Sequence, residues 1–134
     1  TEIKARLTGL HAEHQAWWDA DTRNPHPVVR VHPESGLKSL FVNGIFTQRI
    51  LGMPEAESQE LLEFLYAHAV EPRFVVRHTW RKGDVAFWDN RSTQHRVHND
   101  FGEAQRRIHR VTLMGEPPMG EPSMGEPPMG ESPI

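Results

Sequence analysis

The spacing of apolar and polar residues changes character twice along the chain. Over residues 3–18, Ile3, Leu7, Leu10, His14 and Trp17 recur at helical spacing and predict a first helix. The run Arg23-Asn24-Pro25-His26-Pro27 is expected to end it, because each proline interrupts a helix and pushes its predecessor towards extended geometry. Residues 28–31 read as a short strand, Pro33-Glu34-Ser35-Gly36 as a turn, and residues 39–43 as another strand. A second amphipathic helix is predicted over 54–69, with Leu61, Leu62, Leu65 and Ala69 on one face. Pro54 suits its first position, Glu55 and Glu57 suit its positive end, and Glu71-Pro72 closes it. From Phe74 onward the period falls to two, and residues 74–80, 84–89, 93–98 and 106–114 read as strands. Their connections are short, which predicts antiparallel neighbours and a meander or jelly-roll sheet in an α+β chain.

The pattern stops at Met114. Beyond it lies a five-residue repeat, Met-Gly-Glu-Pro-Pro and close variants, starting at Met114, Met119, Met124 and Met129. With a proline in every unit and no apolar face, the tail at 115–134 is expected to be disordered or loosely extended and unable to join a sheet or helix. The body, residues 1–114, then forms one modest domain. The first residue is Thr1, so the natural start is expected upstream.

Composition narrows the chemistry. The chain has no cysteine, which excludes disulfides, thiolate catalysis and cysteine-based zinc sites, and is compatible with a cytoplasmic location. The formal charge is −3, and discounting the tail glutamates Glu116, Glu121, Glu126 and Glu131 brings the body to +1. A nearly neutral body lacks the basic face that nucleic-acid binding requires. No apolar run approaches the length of a membrane span. Nine histidines stand out more than the charge, because histidine is the commonest metal ligand.

The informative stretch runs from Trp80 to His95 and continues at Arg106–Thr112 in the string RRIHRVT. Strand alternation puts Arg106, Ile108 and Arg110 on one face. Two guanidinium groups two pleats apart repel each other unless an anion or an acidic side chain sits between them. A small dicarboxylate or anionic substrate fits, and so does solvation or pairing with Asp89, Asp100 or Glu103.

Read in order, HPVVRVHPESGLKSLFVNGIFTQRI, WRKGDVAFWDNRSTQH and RRIHRVT resemble the taurine dioxygenase (TauD/TfdA) family of Fe(II)- and 2-oxoglutarate-dependent dioxygenases. The resemblance covers nearly everything from His26 to Met114. It implies the C-terminal portion of a double-stranded β-helix, the cupin-like jelly roll, with flanking helices. It also implies a facial triad of two histidines and one carboxylate on iron, with open positions for cosubstrate and O2. By position, His95 matches the distal histidine ligand. Arg106 matches the arginine that holds the far carboxylate of 2-oxoglutarate, and Arg110 the one near cosubstrate and substrate anion. Phe46 resembles an aromatic wall of the substrate pocket, and Trp88 a tryptophan close to the metal. The implied reaction is hydroxylation of a small anionic sulfonate, sulfate ester or carboxylate, coupled to conversion of 2-oxoglutarate and O2 to succinate and CO2. Homo-oligomerisation is left open.

One departure matters for all of this. None of the nine histidines is followed two positions later by aspartate, so the family's His-x-Asp ligand pair has no counterpart here. His11-Ala-Glu13 and His32-Pro-Glu34 come nearest. The first is expected on a helix with its glutamate facing away, and the second in an ordinary turn. The cosubstrate-anchoring threonine of the family is also missing. The chain alone is therefore expected to be inactive, either as a fragment of or a partner in a full dioxygenase, with the missing pair encoded upstream or supplied by another chain, or as a non-catalytic remnant or interaction module.

Overall fold

A computed structural model of the chain describes residues 2–121. Its N-terminal helix α1 spans only Glu2–Leu7, and the strand β1 follows at His11–Gln15. The predicted helix over 3–18 is thus corrected to a helix, a turn and a strand. Gly9 takes φ +77°, a left-handed conformation that ends a helix and that glycine adopts without strain. Beyond it the burial alternates, with Ala12 and His14 inside and His11 outside. Leu7, Leu10 and His14 mimic helical spacing because a strand after a short turn can return apolar residues to the same core.

The strands β2 (Arg23–Pro27) and β5 (Thr47–Ile50) flank β1 in an antiparallel sheet of order β2-β1-β5. The proline run that was expected merely to stop a helix is itself a strand. It can be one because β2 lies at the sheet edge, where a missing N–H costs no ladder bond. A second, two-stranded sheet pairs β3 (Val29–Val31) with β4 (Lys38–Leu40). The loop between them is the predicted turn, closed by Gly36 N–H donating to the His32 carbonyl at 2.9 Å.

The helix α2, Glu55–Ala69, agrees with its periodicity to within a residue. Its Leu61, Leu62 and Leu65 are buried with Leu7, Ala12, Val28, Val42 and Ile50 in one core. The Ser58 hydroxyl, also buried, accepts the Ile50 N–H at 2.7 Å and fixes α2 on β5. A short 3-10 turn at Pro72–Phe74 ends this packed half.

Past Phe74 the four predicted strands form no ladder among the described residues. The turns between them do form: Asp84 N–H to Arg81 (3.1 Å), Ser92 to Asp89 (3.3 Å) and Ala104 to Phe101 (3.0 Å). These lie at the three predicted connections. Turns are local and need only their own residues, whereas ladders need partner strands, and short connections did not make chain neighbours pair. The apolar side chains of these runs are left outside, with Val76 93 %, Phe87 92 % and Val85 91 % exposed.

The tail differs from expectation at its start. Met119 pairs with Val31 in a single antiparallel bridge at the free edge of β3. Its flanking prolines do not prevent this, because a single edge pair uses the methionine carbonyl and no proline N–H. The remaining repeats lie outside the described residues.

Candidate functional site

The segment carrying the site candidates is held to the body by a polar clamp. Asp89 accepts from the Arg91 backbone N–H (2.8 Å), from its Nε (2.9 Å) and from its Nη2 (2.8 Å). His32 on the β3–β4 loop joins them, its Nε2 lying 3.0 Å from Asp89 Oδ2. The His32 tautomer follows from its other nitrogen. Nδ1 accepts the backbone N–H groups of Glu34 and Ser35 at 3.2 and 3.1 Å, so Nε2 carries the proton and donates to Asp89. Arg91 Nη1 reaches back to Glu34 at 2.8 Å. Hydrogen bonds from Arg91 and then His32 hold the Asp89 carboxyl well below the usual carboxylate range, and Arg91 is raised in turn. The Asp89-Asn90-Arg91 turn is thereby locked against the His32-Pro33-Glu34 turn.

Three residues after Arg91, the Gln94 amide donates to the Val42 carbonyl at 2.8 Å. His95 is next in the chain and stands against Trp88, with ring centroids 5.2 Å apart and planes tilted by 49°. These two are the site candidates that the structure brings together. Trp88 is steadied by its own indole N–H, which donates to Asn90 Oδ1 at 2.9 Å. Phe46 is placed by a different device. The Asn43 side chain accepts the N–H groups of Ile45 and Phe46 at 3.0 and 2.9 Å, a local turn that sets Phe46 edge-on to Trp18. Arg106 lies over the Phe101 ring at 5.7 Å, and Arg110 is exposed. Two surface cavities lie elsewhere. The larger, about 420 Å³, is lined by Glu13, Arg23 and Arg49 among others, and the smaller by Ile3, Arg6 and Phe64 among others.

His11 and Glu13 lie on a strand, not on the predicted helix. Two residues apart, they share a face, contrary to the helical expectation. Glu13 is nevertheless engaged by Arg49 at 3.5 Å and Arg23 at 3.9 Å, while His11 Nδ1 contacts the Gly9 carbonyl. For the same reason His11 and His14, three apart, project to opposite faces and cannot share a metal as they could on a helix. Among the described residues no three His, Cys, Asp or Glu side chains converge as a metal site requires. The donors present do not make a complete iron centre, and His95 alone is too few.

Sequence reasoning overlooked an aromatic cluster built around the buried His14. His14 stacks on Phe41 at 5.6 Å, meets the His26 ring edge-on at 5.0 Å, and places Nε2 3.2 Å from the Thr47 hydroxyl. The signal available was strand alternation through His11–Gln15, which turns His14 inward. Burial, reinforced by His26, pushes the His14 pKa down to about 4. The imidazole is thus neutral when folded and titrates near 6.5 when unfolded. Between those values the unfolded chain binds the extra proton, so stability rises with pH across the window and is lost as pH falls through it. The shift corresponds to roughly 3 kcal/mol at most. Urea midpoints at pH 7.5 and 4.5 are expected to differ markedly less in His14→Gln than in the natural chain. An unchanged pH response in the variant would show that His14 is not the responsible group.

Comparison with known proteins places this architecture. The family model described as taurine catabolism dioxygenase TauD, TfdA family matches residues 1–112. An alkylsulfatase of Acinetobacter baylyi is 48 % identical over 91 residues, covering 68 % of this chain and 28 % of that protein. An alpha-ketoglutarate-dependent sulfate ester dioxygenase of Pseudomonas putida is 50 % identical over 94 residues, covering 70 % of this chain and 31 % of that protein. Among solved structures, a taurine dioxygenase from Burkholderia xenovorans superposes with a TM-score of 0.64 at 43 % identity, covering 68 % of this chain and 33 % of its own. The chain belongs to the TauD/TfdA dioxygenase family. Its fold is accordingly α+β, part of the cupin-like jelly roll of that family. The chain spans about a third of the length of the curated relatives it matches.

Proposed function

We propose that this chain is the C-terminal portion of an Fe(II)- and 2-oxoglutarate-dependent dioxygenase that hydroxylates a small anionic substrate, with sulfate esters the favoured class. In this reading residues 1–114 form the dioxygenase part and residues 115–134 an appended tail. His95 supplies one imidazole to the iron, and a His-x-Asp segment outside this chain supplies the other two ligands. The observation that carries the reading is the position of His95. It lies against Trp88, one residue from the Gln94 anchor and four beyond Arg91, whose turn is locked to His32 through Asp89. A ligand needs such support, because a metal site depends on neighbours that fix the orientation of its donors.

The other roles follow from side-chain chemistry. Arg106 pairs with the far carboxylate of 2-oxoglutarate, since a planar guanidinium can donate two parallel hydrogen bonds to a carboxylate. Arg110 lies near the cosubstrate and takes the anionic group of the substrate. Phe46 and Trp88 provide apolar walls that exclude water. The redox chemistry belongs to the metal and cosubstrate, while the protein binds, orients and keeps the site dry. The exposed faces of Val76, Val85 and Phe87 support the same reading, because jelly-roll strands require partners to cover them. The names of the Acinetobacter and Pseudomonas relatives favour sulfate esters over other anions.

The reading frame upstream of Thr1 is the first test, and it is expected to encode a His-x-Asp segment. The intact product should then form succinate from 2-oxoglutarate only when Fe(II) and an alkyl sulfate or related anion are present. An intact frame without that segment, or a product inert towards every such anion, would instead indicate a non-catalytic interaction module.

A further inference from the structure

The tail repeats one short unit, Met-Gly-Glu, at 114–116, 119–121, 124–126 and 129–131. The second unit is seated on the body, and each of its three residues meets a distinct feature there. Met119 offers its carbonyl to the Val31 N–H at 2.8 Å and pairs antiparallel with that residue. Gly120 passes so close to β2 that a Cβ there would lie 2.9 Å from Pro27 Cβ. The requirement is steric rather than torsional, and the proline ring cannot swing aside. Glu121 forms an ion pair with Lys38 on β4. The first unit runs alongside, with the Glu116 carbonyl 3.5 Å from Arg30 Nη2 and its carboxylate 3.7 Å from Arg91 Nη1. It lies over Arg30, which is only 5 % exposed and whose Nε has no partner among the described residues.

We propose that the β3 edge, together with Pro27 and Lys38, is a docking strip for a Met-Gly-Glu unit, and that the tail is its tethered ligand. Its occupant is the unit 119–121. The ligand class is an extended acidic peptide with glycine directly before glutamate, bound by strand addition to a sheet edge. The glycine and the main-chain bond set the register. The exposed Lys38 pair contributes specificity more than strength. A single backbone pair beside a proline is weak, because Pro118 has no N–H with which to lengthen the ladder. Tethering offsets that weakness through high local concentration. The strip would close the β3 edge against pairing with other chains. None of this depends on the enzymatic reading.

The full chain tests it by amide hydrogen exchange at Val31, whose N–H points to solvent unless a unit is docked. The natural chain should protect this amide. Gly120→Ala, Gly125→Ala and Gly130→Ala together should lower it about tenfold or more, with the β1–β5 amides unchanged. Lys38→Glu should also weaken protection, and glutamate-to-lysine changes at 121, 126 and 131 should restore it. An unprotected Val31 in the natural chain, or undiminished protection in the triple variant, would overturn the docking strip.

Discussion

Replacing Arg106 with alanine in the intact enzyme is expected to raise the 2-oxoglutarate concentration for half-maximal turnover about 100-fold, while substrate affinity changes less than about threefold. Loss of a bidentate charged pair costs about 3 kcal/mol when the partner carboxylate is left unpaired, and each 1.4 kcal/mol is a factor of ten. Arg110→Ala should show the complementary bias, with the larger loss on the substrate side. Both arginines are exposed in this chain, so neither change removes a core contact and the folded body should survive. Steady-state kinetics with each ligand varied in turn separates the two effects. Equal losses for cosubstrate and substrate in Arg106→Ala would refute the division of roles between the two arginines.

The second large effect concerns His95. Substitution by alanine in the intact enzyme should lower turnover more than roughly 1,000-fold, since a metal centre contributes several kcal/mol and 1.36 kcal/mol is tenfold in rate. Metal content measured on the purified variant should fall in parallel. The neighbouring turn gives the control. Arg91→Lys keeps a charge beside Asp89 but cannot reproduce its several hydrogen bonds, so it should impair activity less than loss of the ligand. Full metal content and near-normal turnover in His95→Ala would remove His95 from the site.

Residue patterns revealed some of this and concealed the rest, for physical reasons. The helix α2 was readable because fifteen residues of consistent period outweigh any single exception. The β3–β4 hairpin was readable through its Pro33–Gly36 turn. The N-terminal helix was overextended because Leu7, Leu10 and His14 satisfy both a helix and a turn followed by a strand, and only Gly9 distinguishes them. β5 escaped notice because its four residues bury only Thr47 and Ile50. In the C-terminal half the turns were legible and the ladders were not, since pairing depends on residues distant in sequence. The candidate site was visible as a motif, WDNRSTQH, whose side chains interlock locally through Asp89 and Arg91. The participation of His32 was not visible, because 57 residues separate it from Asp89. The docked repeat was missed for a related reason: prolines argue against a strand, yet one carbonyl on an open edge needs none of their N–H groups.

Purified and supplied with Fe(II), ascorbate, 2-oxoglutarate and an alkyl sulfate, the 134-residue chain provides the most direct test of a one-histidine contribution to an iron site completed elsewhere. Succinate should not rise above the level of a protein-free control. Sustained succinate release by this chain alone would mean that it already holds a working iron centre, and would contradict the division of ligands proposed for it.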